Sequence, residues 1–598
     1  MEPGPGRLAC YGVLFHRLAL VSSVMLLPMV FWTPFNDCFP LPKLLALALF
    51  GGLALVAGPW RISPVLFWVI PWGAWTIIMS VLGPGCRSWW RPLNDALAVV
   101  GPVLVAVSAS GGSPALARRI SFGLVAAASL IGGYALLQAG GIDLGEWISP
   151  FHKGVAATIG NPDLLGGMLV FPFALALAGW LENISLIRVI PVALILAAII
   201  ATETRAAWLA SAVVMFYLAG RHNRRALAGV AAAGLLSACF WLYGHPAAAG
   251  MLASSSALDE RLWTWKVAAR ALRAHPVAGW GTGSFRGVFL QEQAEALKTG
   301  GSFHYTEFAH LEPLHLWTET GVVGLGLFLW GLFSVLRALR PGRGVLAGWA
   351  GILADGAMSF PLHVPPTAVP AWAVAGAGIT GGRQFRAVPS LRLAAAFSWF
   401  FALVVLFRSA GSSGWLRTGQ ALVQDGRFLE AQAAFDKAAL LVPGDIRPWW
   451  YSAIAARNGY LPSRSLAMAD RGLVLEPAWA ELHLERGLAL KALGRLDGAE
   501  TAYREAIRFS PGFSHAWNNL GNLLGSEGRL REAEQAQRRA VELAPDSPEA
   551  RRNLAVTLAR MGRKGEAQAV MEGLPARQVR LTKGGRDLAP LGRGAEGR

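Results

Sequence analysis

The chain has 598 residues, of which 54% are hydrophobic and 15% are charged, and its formal net charge is +17 at pH 7. A soluble protein carries about 25% charged residues, so this composition excludes an ordinary soluble enzyme. The basic residues of the first part stand in short clusters between apolar runs, without the aromatic companions of a nucleic-acid surface, so no nucleic-acid partner is indicated. Charges are sparse up to about residue 410 and dense afterwards, which predicts two domains in different surroundings.

The first part of the chain is a succession of apolar runs. A helix that crosses a bilayer needs about 20 apolar residues, and its backbone must be hydrogen-bonded internally. The sequence therefore predicts an all-α polytopic membrane bundle of about twelve or thirteen spans over residues 1–409. The spans are predicted at residues 12–34, 43–58, 62–83, 93–110, 119–141, 163–181, 185–203, 205–220, 225–244, 314–338, 344–361, 366–382 and 391–409.

Clusters of arginine beside the runs orient these spans. If the N-terminus is cytoplasmic and the count is thirteen, one side of the membrane receives Arg7, Arg17, Arg61, Arg118, Arg119, Arg221, Arg224, Arg225, Arg337, Arg340, Arg343, Arg383 and Arg386, as the positive-inside rule requires. The segment 142–162, the loop of about 245–313 and the region after residue 410 then lie outside, which in a Gram-negative cell is the periplasm. Cys38 and Cys86 would both be in outer loops, where they either pair or remain free thiols.

Two polar segments adjoin the outer ends of spans. The hairpin ATETRAAWLA (201–210) contains Thr204, Arg205 and Trp208. Polar groups at a membrane boundary point to function, although an interfacial arginine can also simply reach the headgroups. The segment ATIGNPDLLGG (157–167) contains Asn161, which is predicted to cap the next helix.

The long outer loop carries three further motifs. It opens with DERLWTWKVAARAL (259–272), continues through HPVAGWGTGSF (275–285) and closes with FAHLEPLHLWTETGVVG (308–324). His304, His310 and His315 crowd near the last of these. Such spacing can suggest a metal, but no second ligand motif supports it, and no metal site is predicted.

Prolines recur every 34 residues in the last part of the chain, at Pro443, Pro477, Pro511 and Pro545. This period is typical of tetratricopeptide repeats, in which each unit is a pair of packed helices. The sequence predicts an α-solenoid over residues 412–576, with units starting near 412, 446, 480, 514 and 548 and the second unit degenerate. Such arrays bind proteins or peptides, and the alternative is a structural spacer. Residues 577–598 are predicted to be a disordered basic tail.

Together, the hairpin, the Asn-Pro segment and the loop motifs resemble the O-antigen ligase and polymerase superfamily. The resemblance covers residues 150–340. Ala206 and Leu311 depart from the family, which commonly has glycine and asparagine there, and this bears on the class of acceptor. The matching motifs, in order, are Thr204-Arg205-Ala206-Ala207-Trp208, Arg261 with Trp265, Pro276-Val277-Ala278-Gly279-Trp280-Gly281, His310, and Glu319-Thr320-Gly321.

The resemblance implies an integral membrane glycosyltransferase of the GT-C type. Such an enzyme takes a glycan from undecaprenyl pyrophosphate and passes it to an acceptor hydroxyl, with inversion and without a metal or other cofactor. Arg205 and Arg261 would hold the pyrophosphate through their permanent charge and bidentate fork, and His310 would be the base. The implied substrate-binding residues are Asn161, Thr204, Trp208 and Glu319, the last of which would orient the loop.

The resemblance allows three classes of acceptor. The acceptor is the lipid A core, a growing polysaccharide, as in a polymerase, or a protein hydroxyl, as in an O-linked protein oligosaccharyltransferase. The attached repeats favour a protein more than the membrane part alone would. Outside the enzymes, the chain would be a transporter or a non-catalytic scaffold acting through its repeats. A transporter is expected to have paired half-repeats and charges within its spans, and the sequence has neither.

Overall fold

The computed structural model describes residues 17–22, 61–62, 70–84, 114–143, 155–159, 161–222, 256–297, 308–339, 343–359, 361–363, 365–379, 385–386 and 389–572, with the single positions 25, 102, 105, 106, 109 and 306. Contacts divide the chain into two compact units, Met1–Tyr451 and Ser452–Arg598. Helices dominate both units, which confirms the predicted all-α fold. The predicted spans 43–58 and 225–244, the pair Cys38 and Cys86, His304 and the tail 577–598 lie outside the described residues.

The described part of the first unit is a helical assembly with one short pair of strands. Arg61–Ile62 (β1) pairs antiparallel with Phe385–Arg386 (β2), with Arg61 opposite Arg386. Two 3₁₀ turns cover Ala157–Ile159 and Pro361–His363. The helices are α1 (Ile70–Leu82), α2 (Pro114–Ala139), α3 (Pro162–Glu182), α4 (Leu186–Ala201), α5 (Arg205–His222), α6 (Ser256–Leu272), α7 (Phe285–Leu297), α8 (Glu312–Ala338), α9 (Arg343–Gly356), α10 (Pro365–Gly378), α11 (Pro389–Gln424) and α12 (Phe428–Leu441).

Among the described residues, three helices are long and apolar enough to cross a membrane: Ala115–Ala139, Pro162–Glu182 and Glu312–Ala338. Each coincides with a predicted span. Pro71–Leu82 and Leu186–Ala201 are shorter apolar helices, and each lies within a predicted span as well. The total of twelve or thirteen spans and their orientation remain predictions.

Helix α3 is the centre of the described bundle and packs against α2, α4, α5 and α9. Small residues make this packing close. A Cβ added at Gly166 would stand 2.8 Å from the Cβ of Ala207, and one added at Gly348 would stand 2.5 Å from the ring of Phe171. These distances are shorter than carbon atoms tolerate, so glycine is what allows α5 and α9 to approach α3.

Helix α8 is interrupted at Gly321, whose φ of 68° and ψ of −179° are accessible essentially only to glycine. At this interruption the backbone of α8 packs directly against the backbone of the glycine-rich turn 276–281. A Cβ on Gly321 would stand 2.0 Å from the carbonyl oxygen of Val277. Two motifs that are 40 residues apart in the sequence are therefore one structural joint. Its hydrogen bonds run from Trp280 N to Thr318 O (2.9 Å), Gly281 N to Glu319 O (2.8 Å), Val322 N to Pro276 O (3.0 Å) and Val323 N to Val277 O (3.3 Å).

Helix α11 runs from Pro389 to Gln424 without a break, although the Gly- and Ser-rich run near 409–414 predicts an interruption there. The small residues instead form the surface on which α12 packs. The Ser412 hydroxyl donates to the carbonyl of Ala438 at 3.0 Å, and Gly419 lies against the ring of Phe435. The last predicted span and the first repeat helix are thus one helix, while the predicted domain boundary remains a prediction.

The repeats follow the predicted register. Helix α13 (Ile446–Asn458) spans the division between the units. Its successors are α14 (Pro462–Leu475), α15 (Ala480–Ala492), α16 (Leu496–Phe509), α17 (Ser514–Ser526), α18 (Leu530–Leu543), α19 (Pro548–Arg560) and α20 (Lys564–Met571). The first helices of these units begin at residues 446, 480, 514 and 548, as the proline period predicts.

The turn inside each repeat needs a left-handed residue. Gly494, Gly528 and Gly562 fill this position with φ of 75°, 82° and 80°. In the degenerate unit the equivalent residue is Tyr460, with φ of 58° and a side chain that is 91% exposed. The degenerate unit therefore keeps the shape of its neighbours by accepting backbone strain at one tyrosine.

Candidate active site

The hairpin and the start of α3 are joined by polar side chains. The Asn161 side chain caps α3, accepting hydrogen bonds from the backbone N–H groups of Asp163 (2.8 Å) and Leu164 (3.3 Å). The Thr204 hydroxyl, at the start of α5, donates to the Asp163 carboxylate at 3.1 Å. Asn161 and Thr204 therefore place one exposed carboxylate, that of Asp163, at this end of the bundle.

Arg205 and Trp208 have different surroundings in the same hairpin. Arg205 is exposed at the first position of α5. The Trp208 indole N–H donates to the carbonyl of Ile199 at 3.1 Å, which ties α5 to α4. Glu203, between the two helices, has a φ of 56°. Trp208 thus has a clear structural task in closing the hairpin, and its role in substrate binding remains a prediction.

His310 stands where the outer loop returns to α8, and its imidazole is half-buried. Burial lowers the pKa of His310 below the ordinary value of 6.5, and the nearby Arg261 guanidinium lowers it further, whereas Asp163 and Glu260 raise it. These electrostatic effects show that α3, α6 and the loop bring their charged groups to His310. Since Thr204 holds Asp163, the hairpin belongs to the same neighbourhood.

Glu319 is buried, and its carboxylate accepts hydrogen bonds from backbone N–H groups of the outer loop. Its Oε1 accepts from Gly283 at 2.9 Å and from Phe285 at 3.3 Å, at the start of α7. The same oxygen lies 3.6 Å from Nε2 of His315. The predicted role of Glu319 in orienting the loop is compatible with these contacts, because the carboxylate fixes the start of α7 to α8.

A second layer of polar groups, which sequence analysis missed, lies below the candidate site. Asp355 of α9 is 1% exposed, and neither of its carboxyl oxygens has a hydrogen-bond partner within the described part of the chain. Asp163 and Glu312 lie within electrostatic range of it. Glu312 approaches Nδ1 of His363 at 2.6 Å and accepts from the N–H of Leu362 at 3.3 Å.

The side chains of His315, Glu319 and His363 offer ligand atoms within 4.8 Å of one another, so a metal must be considered. The N–H of Ala309 donates to Nδ1 of His315 at 3.4 Å. In a neutral imidazole the proton is then on Nε2, the nitrogen that faces Glu319. A protonated nitrogen cannot ligate a metal, so these side chains fit a hydrogen-bonded layer better than a metal centre.

Residues 190–329 match the family model described as O-antigen ligase. This stretch contains Arg205, Trp208, Arg261, His310 and Glu319. The chain carries an O-antigen ligase domain. Three tetratricopeptide repeat models match after it, at residues 480–513, 502–535 and 526–580, and confirm the predicted repeats. The chain therefore joins a domain of a membrane glycosyltransferase-like family to a repeat array.

Solved structures similar to the chain include several repeat proteins. MamA from Desulfovibrio magneticus RS-1 is 18% identical, with 29% of this chain and 98% of that chain covered and a TM-score of 0.25. The pilF protein of Pseudomonas aeruginosa is 18% identical, with 30% and 79% covered and a TM-score of 0.26. A thermophilic TPR protein of Thermus thermophilus is 24% identical, with 28% and 95% covered and a TM-score of 0.25. No curated protein matches the chain.

Proposed function

We propose that the ligase domain transfers a glycan from undecaprenyl pyrophosphate to an acceptor hydroxyl at the periplasmic face of the inner membrane. The observation that carries this proposal is the grouping of His310 with the Arg261 guanidinium and the Asp163 carboxylate. A base beside a fixed cation, at the end of a membrane helix, suits an acidic lipid-linked donor and a hydroxyl acceptor.

In the proposed reaction His310 accepts the proton of the acceptor hydroxyl. The hydroxyl oxygen attacks the anomeric carbon of the glycan, and the bond from that carbon to the pyrophosphate oxygen breaks with its electron pair staying on the oxygen. The products are the glycosylated acceptor, with inverted configuration, and undecaprenyl pyrophosphate. Arg261, with Arg205, stabilises the charge on the departing pyrophosphate, so the transfer requires neither metal nor other cofactor.

The electrostatics of His310 favour this role. A base must be neutral before it accepts a proton, and burial together with Arg261 lowers the pKa of His310 from its ordinary 6.5. At neutral pH the imidazole is therefore mainly in the active form. The Arg261 guanidinium stays charged while the His310 imidazole is neutral, so one group can bind the pyrophosphate while the other accepts the proton of the hydroxyl.

The acceptor is one of three: the lipid A core, a polysaccharide or a protein. We infer that the repeats bind a polypeptide, because tetratricopeptide arrays present a concave face to protein partners. A deletion strain of the source organism, complemented with the wild-type chain and labelled in its glycan, distinguishes the acceptors. The label enters lipopolysaccharide, long polymer or protein, and each is resolved on a gel.

The same strain tests the chemistry. His310→Ala should reduce transfer by about a hundred- to ten-thousand-fold, and Arg261→Lys should also reduce it because the bidentate fork is lost. Arg270→Gln is the matched control, since Arg270 is on the same helix and makes an exposed ion pair with Glu292 at 3.2 Å. If His310→Ala and Arg261→Lys both transfer glycan at the wild-type rate, the transferase proposal is wrong and the scaffold alternative is favoured.

A further inference from the structure

The residue before His310 is held at both of its backbone polar groups. Ala309 is 0% exposed. Its carbonyl accepts the indole N–H of Trp265 at 3.0 Å, and its N–H donates to Nδ1 of His315 at 3.4 Å. Trp265 belongs to α6 and His315 to α8, so side chains of two separate helices hydrogen-bond the loop backbone directly next to His310.

His310 itself has a φ of 51°. This left-handed conformation is unfavourable for a residue with a Cβ, and it persists only where the surroundings impose it. The carbonyl of Ala309 belongs to the peptide unit that joins it to His310, and its N–H belongs to the preceding unit, so the two hydrogen bonds fix two consecutive peptide units directly before the Cα of His310. They are therefore placed to hold the backbone of His310 in this conformation.

His315 is itself fixed. Its ring packs against Phe285 at 4.8 Å, Phe308 at 5.5 Å and His363 at 4.6 Å between centroids. Its Nε2 faces the buried Glu319 carboxylate. These contacts hold the ring with Nδ1 toward Ala309.

Arg261 and Trp265 are four residues apart and lie on one face of α6. Arg261 acts on the His310 imidazole, while Trp265 binds the backbone beside it. Helix α6 therefore carries both the guanidinium that acts on the His310 imidazole and, one turn later, the indole that binds the backbone next to it.

We propose that Trp265 and His315 are positioning residues that hold His310 in its reactive orientation through the backbone of Ala309. The inference rests on the proposed function of His310 as the base. Loss of either hydrogen bond should lower kcat, because the base is displaced, and should leave the KM for the donor almost unchanged. A displacement of about 1 Å can cost on the order of a hundredfold in rate.

The experiment uses the full-length chain in membranes of a deletion strain of the source organism, which supply the natural lipid-linked donor and acceptor. Trp265→Phe removes one N–H and keeps an aromatic ring. His315→Leu removes the acceptor, while His315→Asn restores an acceptor at the place of Nδ1. Trp263→Phe is the matched control, because Trp263 is on the same helix and its indole N–H makes a comparable buried bond, to Gln293 at 3.1 Å.

The expected result has three parts. Trp265→Phe and His315→Leu lose about a hundredfold in kcat with the donor KM within about twofold of wild type, His315→Asn recovers most of the loss, and Trp263→Phe transfers at nearly the wild-type rate. The inference is overturned if Trp265→Phe is as active as Trp263→Phe, or if the asparagine and leucine variants are equally active. If His315→Leu does not accumulate, the two tryptophan variants decide.

His310→Ala, assayed in parallel, separates this inference from the proposed function. An inactive His310→Ala alongside fully active Trp265→Phe and His315→Leu removes only the positioning role. A fully active His310→Ala removes the proposed function and the inference together.

Discussion

Replacing Gly321 with alanine should break the joint between the interrupted helix α8 and the turn 276–281. The new Cβ would overlap the Val277 carbonyl, at 2.0 Å, so the turn must move away. Four backbone hydrogen bonds cross this joint, and at about 0.5–1.5 kcal/mol each their loss amounts to about 2–6 kcal/mol. The strained φ and ψ of Gly321 would add about 1–3 kcal/mol for a residue with a side chain.

A total of this size is comparable to the whole stability of many proteins, which is about 5–15 kcal/mol. We therefore expect Gly321→Ala to accumulate poorly, to melt at a much lower temperature in detergent and to lose glycan transfer. Gly326→Ala is the control, because Gly326 is in the same helix and nothing lies within 4 Å of an added Cβ. Alanine should there be neutral or stabilising by up to about 1 kcal/mol.

Purified full-length protein, followed by tryptophan fluorescence during heating, gives the comparison directly. Equal melting temperatures for Gly321→Ala and Gly326→Ala would show that the joint contributes little. The reasoning that makes the Glu-Thr-Gly and Pro-Val-Ala-Gly-Trp-Gly motifs one structural element would then be refuted.

Three further predictions concern separate parts of the chain. Burial and then Arg261 lower the pKa of His310, whereas Asp163 and Glu260 raise it. Glu260→Gln removes one of the groups that raise this pKa, so the acidic limb of the kcat/KM profile should move to lower pH. An upward shift would contradict the assignment of His310 as the base. Tyr460→Asn should stabilise residues 412–576, expressed alone as a soluble helical fragment, by about 1 kcal/mol against urea, because the short polar side chain of asparagine can hydrogen-bond the backbone of the left-handed turn. Tyr460→Ala, which cannot make that hydrogen bond, should not. A reporter active only in the periplasm, fused after residue 598, should be active, and activity of a cytoplasmic reporter at the same place would contradict the orientation.

The parts of the candidate site that carry motifs can be proposed from the sequence. Polar motifs at the outer ends of successive spans share one side of a membrane, and this topology predicts that Arg205, Arg261 and His310 converge, which stays a prediction. In the structure, Asp163 accepts a hydrogen bond from Thr204 of the hairpin and acts electrostatically on His310. Asparagine followed by proline and aspartate predicts a helix cap, which is confirmed for Asn161, but this pattern does not indicate a role for the neighbouring Asp163 carboxylate.

Other features could not be obtained from the sequence, for physical reasons. Asp355 and His363 reach the site because α9 packs on α3 and the 3₁₀ turn Pro361–His363 folds back onto Glu312, 50 residues away from Leu362; no local pattern encodes such contacts. The conformation of Gly321 is not visible in the sequence, because the residues before and after it belong to one predicted span, 314–338. For Trp208 the sequence pattern is ambiguous, because a tryptophan close to an arginine is equally compatible with substrate binding and with closing the hairpin.

Helix α11 has 36 residues, which corresponds to about 54 Å at 1.5 Å per residue. The predicted span 391–409 would use roughly 20 of these residues for the hydrocarbon layer, and the remainder would then form a rigid stalk that ends as the first helix of the first repeat hairpin. The number of residues in the stalk would set both the height and the facing direction of that hairpin. One inserted residue would raise it by about 1.5 Å and turn it by about 100°, whereas seven would raise it by about 10 Å and return it nearly to its original direction.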